Sequence, residues 1–258
     1  MDYLTNKGIV EAFRKCGIQS GSVLMLHSDA IFLAQTRPMP KKDRYALFFE
    51  ALDEVIGSQG TLIIPTFTYS ATKREPFIVE ETPSTVGDLT EYFRKLPGVL
   101  RSRDPIFSVA VYGAKAEEFA NVEVVDAFGP GSVFELLDRY NAWIACLACS
   151  IDRITYTHYV EQIFCVDYRY YKNFPFTIIH NGSSQTGTIK YFVRDLDQKS
   201  DIDLCMLSDE LNKQEKLKKQ PIGRFSIITV RCPFFRETAL SMLSDNPLVL
   251  IAEGQDEV

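Results

Sequence analysis

Apolar and polar positions alternate along this chain in two registers, and the switches between them mark its elements. Short, nearly unbroken apolar runs launched by glycine or bounded by polar residues read as buried strands over 22–27, 61–67, 107–112 and 142–148. Between them apolar residues recur three and four apart, which predicts helices over 4–16, 40–56, 85–96 and 155–166. Ser84 is placed to N-cap the third of these and Pro97-Gly98 to end it, while Ser132 is placed to cap a further short helix reaching Tyr140. This order predicts an α/β fold with a mainly buried central sheet flanked by helices. Beyond about residue 170 the pattern changes. Phe174 to His180 and Thr186 to Val193 flank Asn181-Gly182-Ser183-Ser184, a hairpin signal, and a charged helix (201–219), a strand (222–231) and a helix (233–244) follow. An antiparallel C-terminal addition is therefore expected. No repeat or low-complexity linker interrupts the chain, so 1–258 reads as one domain with a sub-division near 170.

Composition narrows the class. At 258 residues, 46% hydrophobic and 24% charged, the chain can bury a sizeable core and is neither disordered nor a disulfide scaffold. A net charge of −6 argues against nucleic acid as a partner and tolerates a cationic substrate. Met1-Asp2-Tyr3-Leu4-Thr5 has no charged-then-apolar pattern. The longest apolar run, Ala142 to Cys149, is too short to span a bilayer, so no membrane association and a cytoplasmic location are expected. The six cysteines then read as free thiols. Cys146 and Cys149 have C-x-x-C spacing but lie in an apolar, strand-like run without a second pair, which favours a structural reading.

Familiar catalytic signatures are missing. No Gly-Lys dipeptide exists for a phosphate-binding loop, and Gly129-Pro130-Gly131 meets Phe134 where a dinucleotide fingerprint needs glycine. There is no G-x-S-x-G elbow, and no R/Q-x-x-G-x-G/A loop of the common acetyltransferase superfamily. Histidine is scarce, leaving His27, His158 and His180 as imidazole bases. His180 precedes a turn and reads as exposed. His27 ends the first buried strand, where ligand crevices form in α/β sheets, and reads equally as a hydrogen-bonded strand-end histidine. His158 and Glu161 are three apart at the start of a helix and share a face. The carboxylate there either holds one ring nitrogen and leaves the other as an acceptor, or forms an ordinary surface pair. H-x-x-E lacks a third ligand, so no metal is expected. Arg101-Ser102-Arg103-Asp104 either binds an anion or pairs internally.

These segments in order resemble the aminoglycoside 3-N-acetyltransferase family. The likeness rests on Val23-Leu24-Met25-Leu26-His27-Ser28, Gly60 to Thr68, Pro83-Ser84-Thr85-Val86-Gly87 through Arg94, and Pro97 to Ser102. It continues through Phe128-Gly129-Pro130-Gly131-Ser132, Thr155 to Glu161, Ile222-Gly223 and Ser244 to Leu250. The resemblance implies an α/β fold unlike the common acetyltransferase fold. It also implies transfer of an acyl group, usually acetyl, from coenzyme A to an amino-sugar amine. A protonated amine cannot attack, so a base is required, and His158 oriented by Glu161 suits it. Ser28, Thr66 and Thr68 are candidates to meet the oxyanion, and His27, Ser28, Asp29, Ala30, Ile31, Thr66 and Ser84 are the expected coenzyme A side. Two departures stand out. Asp104-Pro105 replaces the family's His-Pro, which makes Asp104 a candidate second base or ammonium anchor. Asp29 to Ala34 replaces a serine-rich loop ending in glycine. Phe67, Thr68, Arg101 and Arg103 are the expected acceptor side. With Lys73, the two arginines are placed to meet the diphosphate of a nucleotide-linked amino sugar, an acceptor alternative to an aminoglycoside. The expected partners are acyl-CoA and an amino sugar, with a homodimer left open. A catalytically silent coenzyme-A- or sugar-binding module on the same fold is the competing reading. A metal-dependent hydrolase using His27, His158 and Asp104 is a third.

Overall fold

The computed structural model describes residues 3–252. The first part runs α1 (Asn6–Lys15), β1 (Val23–Ser28), α2 (Lys41–Ile56), β2 (Thr61–Pro65), α3 (Ser70–Lys73) and β3 (Phe77–Ile78). There follow α4 (Asp88–Phe93), β4 (Leu100–Arg101), β5 (Val109–Gly113), α5 (Ala116–Ala120), α6 (Val133–Arg139) and β6 (Trp143–Leu147). The last part is α7 (Thr157–Phe164), β7 (Arg169–His180), β8 (Ser183–Arg194), α8 (Cys205–Lys213), β9 (Lys218–Ile222), β10 (Phe225–Arg231) and α9 (Cys232–Asp245). Short 3-10 turns at Ala30–Gln35 and Ile151–Arg153 follow β1 and β6.

Seven strands form a mixed sheet in the order β4-β5-β2-β1-β6-β10-β9. At its centre β2, β1 and β6 are parallel, with Leu24 opposite both Leu62 and Trp143. Antiparallel strands complete it on both sides, β5 and β4 beyond β2, β10 and β9 beyond β6. Strand alternation sends Leu24 and Leu26 to one face and Met25 to the other. On the first face they join Ile9 and Phe13 of α1 and Phe48 and Leu52 of α2. On the second, Met25 and Ile144 join Phe134, Val160 and Phe235 from α6, α7 and α9. Burial on both faces explains why the central strands read as unbroken apolar runs.

The antiparallel addition has two parts. β10 and β9 extend the main sheet, whereas β7 and β8 form a long hairpin that pairs with β3 in a separate three-stranded sheet. His180 pairs with Ser183, so the hairpin turn is only Asn181-Gly182, both at positive φ as a type I′ turn demands.

Three predicted helices are shorter than the periodicity suggested. The charged helix expected over 201–219 covers only Cys205–Lys213, because Glu215 takes positive φ and Lys218 to Ile222 becomes edge strand β9. Its lysines and Pro221 suit an edge that should not recruit another strand. The helix expected to start at 85 starts at Asp88 with Gly87 as its cap. α7 stops at Cys165, whose positive φ ends the helical path.

At the far end of the sheet from the chemistry described below, Gly113 ends β5 at φ 110, and a Cβ there would lie 2.2 Å from the Gly60 carbonyl oxygen. Gly113→Ala therefore forces both backbone strain and a clash. We expect it to lower stability by about 2–4 kcal/mol in urea unfolding while leaving turnover per folded molecule unchanged.

Candidate active site

The parallel strands β2, β1 and β6 all end on the same edge, and crevices in such sheets open outside these carboxyl ends. Here a cleft of about 1040 Å³ opens, lined by Leu26, His27, Ser28, Asp29 and Ala30 from the end of β1, and by Pro65, Phe67 and Tyr69 after β2. Cys149, Arg153 and Thr155 after β6 also line it. Lys41, Arg44 and Tyr45 of α2 and Val86 to Thr90 at the start of α4 complete the wall. Three cations, Lys41, Arg44 and Arg153, border the cleft together with the carboxylates of Asp29 and Asp88, and Asp88 pairs with Lys41. Asp29 accepts the Ile31 N–H at 2.9 Å and caps the turn that carries Ala30 into the wall. His27 is buried, its Nε2 has no hydrogen-bond partner, and burial lowers its pKa to about 4, so the ring is neutral at physiological pH.

His158 lies just beyond this lining. Its backbone N–H donates to the carbonyl of Thr155, a cleft residue, at 3.1 Å. Its Nδ1 is 2.6 Å from Oε2 of Glu161, and the Phe128 ring meets the imidazole edge-on at 5.3 Å. The His158 side chain is 23% exposed, and that of Glu161 has no exposed surface. The pair expected from the i, i+3 spacing thus forms, but facing inward rather than on the helix surface. Arg169, the first residue of β7, completes the group. Its Nε lies 2.8 Å from Glu161 Oε2, an ion-pair contact off the line of a hydrogen bond, and its Nη2 lies 3.0 Å from His158 Nδ1. Burial works against ionisation of Glu161, but His158 and Arg169 outweigh it and hold the carboxyl below the usual carboxylate range. For His158, burial and then the Arg169 charge lower the pKa against the pull of Glu161.

The loop before α6 positions Phe128. Asp126 accepts the Phe128 N–H and the Gln162 side-chain amide, and pairs with Lys190 at 2.7 Å. Gly129 is required beside it, since a Cβ would lie 2.5 Å from the Asp126 carboxylate. Ser132 caps α6 as expected, accepting the Glu135 N–H at 3.3 Å. Phe67, Tyr69, Phe107, Phe128 and Tyr191 form one connected aromatic cluster ending at His158.

Other predicted site residues lie outside the cleft lining. Thr66 and Thr68 are buried and their hydroxyls donate to the carbonyls of Ser108 and Pro105, so Ser28 is the one candidate oxyanion hydroxyl that lines the cleft. Ser84 is engaged with Thr90 rather than capping α4, and Ile31 is exposed outside the lining. Arg101 is buried, with Nε on Thr66 Oγ1, Nη1 on the carbonyls of Val79 and Thr82, and Nη2 on the carbonyl of Thr66. Its guanidinium tethers the segment around β3 to the main sheet, the internal pairing that the sequence left open beside anion binding. Arg103 donates to Asn121 beside a separate cavity of about 480 Å³, and Lys73 donates to the Thr68 carbonyl. His180 is paired with Glu80. Asp104 is a turn anchor, accepting the N–H groups of Ile106 at 2.7 Å and Phe107 at 2.9 Å. Among the described residues, no group of three His, Cys, Asp or Glu side chains stands close enough to hold a metal ion.

The family model described as Aminoglycoside 3-N-acetyltransferase matches residues 25–244. The chain belongs to the aminoglycoside 3-N-acetyltransferase family. It is 27% identical over 239 residues to an aminoglycoside N(3)-acetyltransferase IV from Salmonella sp, covering 91% of this chain and 85% of that protein. It is also 27% identical over 184 residues to an aminoglycoside N(3)-acetyltransferase III from Enterobacter cloacae, where it spans only 60% of the relative's length. Among solved structures it shares the fold of the aminoglycoside acetyltransferase AAC(3)-IVa apoenzyme, with TM-score 0.79 and 23% identity, covering 99% of this chain and 94% of the other. It likewise shares the fold of AAC-IIIb in a binary complex with CoASH, with TM-score 0.79 and 19% identity, covering 95% and 97%. With the family comes the reaction class, N-acyl transfer from coenzyme A to an amino group, and the silent-module reading is not favoured.

Sequence reasoning overlooked Lys41, Arg44, Arg153 and Arg169. One signal was available: Lys41, Lys42 and Arg44 crowd the first turn of α2, where basic residues oppose the helix dipole.

Asp104 gives a pH test of the turn it anchors. Burial first, with a contribution from Asp126, raises its pKa from 3.8 to about 6. Between those values the folded state holds a proton that the unfolded chain has lost, so stability falls as pH rises through this window. Asp104→Asn keeps an oxygen acceptor and removes the titration. We expect the variant to gain about 3 kcal/mol on the wild type between pH 4 and pH 7, read from urea unfolding at each pH.

Proposed function

We propose that the cleft binds an acyl-CoA and that His158 is the general base that prepares an aminoglycoside amine for acylation. The observation that carries this reading is the His158–Glu161 contact. With the carboxylate 2.6 Å from Nδ1, the ring proton sits on that nitrogen and Nε2 is left as an acceptor. Amino-sugar ammonium groups are protonated at neutral pH, and this is the group able to remove that proton.

The cleft suits a coenzyme A thioester in charge and in polarity. Arg44 and Arg153, with Lys41 where phosphate displaces its Asp88 partner, would hold its phosphates, and the wall of Leu26, Leu33, Pro65 and Phe67 its pantetheine arm. Bound there, the group supplies an acyl carbon activated by its thioester. The chain's own residues orient the base, with Phe128 against the imidazole edge, and take the amine proton at His158 Nε2. A nucleotide-linked acceptor is less well served, because Arg101 and Lys73, expected to meet its diphosphate, are engaged with backbone carbonyls. No helix among the described residues is long and apolar enough to cross a membrane, and a cytoplasmic enzyme would meet acyl-CoA where it is made.

The test is thiol release from acetyl-CoA with aminoglycosides in one panel and nucleotide-linked amino sugars in another. Release with an aminoglycoside is expected, and release only with nucleotide sugars would replace the proposed acceptor. His158→Ala should cut turnover by about a hundredfold or more while the protein stays folded, and near-wild-type turnover would remove His158 from the base role.

A further inference from the structure

We propose that Arg169 is a positioning residue that keeps His158 uncharged: its guanidinium offsets the Glu161 carboxylate, which then orients the imidazole without protonating it. In its effect on rate this rests on His158 being the base; in its effect on titration it does not.

The problem Arg169 solves is general. An opposite charge within about 4–6 Å, such as a carboxylate beside an imidazole, moves a pKa by roughly 1–3 units toward the charged form. Glu161 Oε2 stands 2.6 Å from His158 Nδ1, and neither Glu161 nor Arg169 is open to solvent screening, at 0% and 3% side-chain exposure. Such a carboxylate pulls His158 toward imidazolium, against the burial that disfavours it, and an imidazolium has no lone pair for a substrate proton. A second charge of opposite sign at the same oxygen changes the outcome. Arg169 Nε lies 2.8 Å from Oε2, so one carboxylate oxygen serves both partners.

The contact at the ring is equally specific. Nδ1 has two close neighbours, Glu161 Oε2 at 2.6 Å and Arg169 Nη2 at 3.0 Å, and in the tautomer that shares its proton with Glu161 the guanidinium finds no acceptor there. That approach opposes a second proton on the ring and does not reward it. The Arg169 head is held there from the hairpin side, where Nη1 donates to the Phe192 carbonyl at 3.3 Å. The other groups around the pair are neutral near pH 7. Burial and Glu161 raise the phenol pKa of Tyr168, and burial also raises that of Tyr191 on β8 to about 12. From the α6 side the neighbour is the uncharged Phe128 ring. Asp126, on the same loop, is paired with Lys190. On His158 itself burial and Arg169 act together and prevail over Glu161.

The experiment is NMR titration of imidazole nitrogens in the full chain, which has three histidines to assign, alongside the pH dependence of kcat/KM. Arg169→Gln should raise the midpoint of His158 by at least about one pH unit. The acid limb of the rate profile should move with it, costing about tenfold at a pH below both limbs and little above them. Arg169→Lys keeps the charge and should titrate close to the wild type. An unchanged or lower midpoint in Arg169→Gln would overturn the proposal, as would a lysine variant that titrates like the glutamine one. A midpoint that moves without the rate limb supports the proposal and counts against His158 as the base. Should Arg169→Gln fail to fold, Glu161→Gln is compared with the Glu161→Gln/Arg169→Gln double variant, in which neither buried charge remains. A higher His158 midpoint in the double variant supports the proposal, and equal midpoints overturn it.

Discussion

The Glu161 carboxylate has no exposed surface, and a buried charge without a partner destabilises a protein by several kcal/mol. The arrangement around it follows from that constraint. His158 comes from the same helix, one turn back, whereas Arg169 comes from the first residue of the long hairpin. Holding the carboxylate therefore requires α7, which packs on the central sheet, and the separate three-stranded sheet to meet at this point. Phe192, whose carbonyl anchors Arg169, belongs to the hairpin's second strand and to the core on that face of the main sheet. The acid–base pair and the joint between the two sheets are one structure.

The central sheet decides where that pair stands relative to a ligand. Three parallel strands ending on one edge leave a crevice there, and the chain lines it with the segments that leave those strands. The turn after β6 contributes Arg153 and Thr155 and leads directly into α7, so cleft wall and His158 are close in sequence. Across the cleft, α2 brings Lys41 and Arg44.

Much of this was legible in the chain. The strands over 22–27, 61–67 and 142–148 were visible because burial on both faces leaves unbroken apolar runs, and Asn181-Gly182 marked the hairpin because few other residues take that turn's positive φ. The spacing of His158 and Glu161 is fixed by the helix and needs no distant partner. Other features were not legible. Arg101, Asp104, Thr66 and Thr68 are polar residues in a loop-rich stretch, and nothing in their order says whether they turn to a ligand or to backbone carbonyls and amides. The charged run over 201–219 looked helical throughout because lysines on an edge strand and on a helix face are alike in composition.

Local order thus determined the α/β pattern, the hairpin and the acid–base spacing, since each depends on residues within a few positions of one another. Tertiary structure alone decided that Glu161 is buried rather than at the surface, and that its second partner is Arg169 rather than solvent. It also decided that cations from α2 and from the turn after β6 face one cleft. Those outcomes depend on which segments meet across the sheets, and burial, which sets the strength of every charge in the site, exists only once they have met.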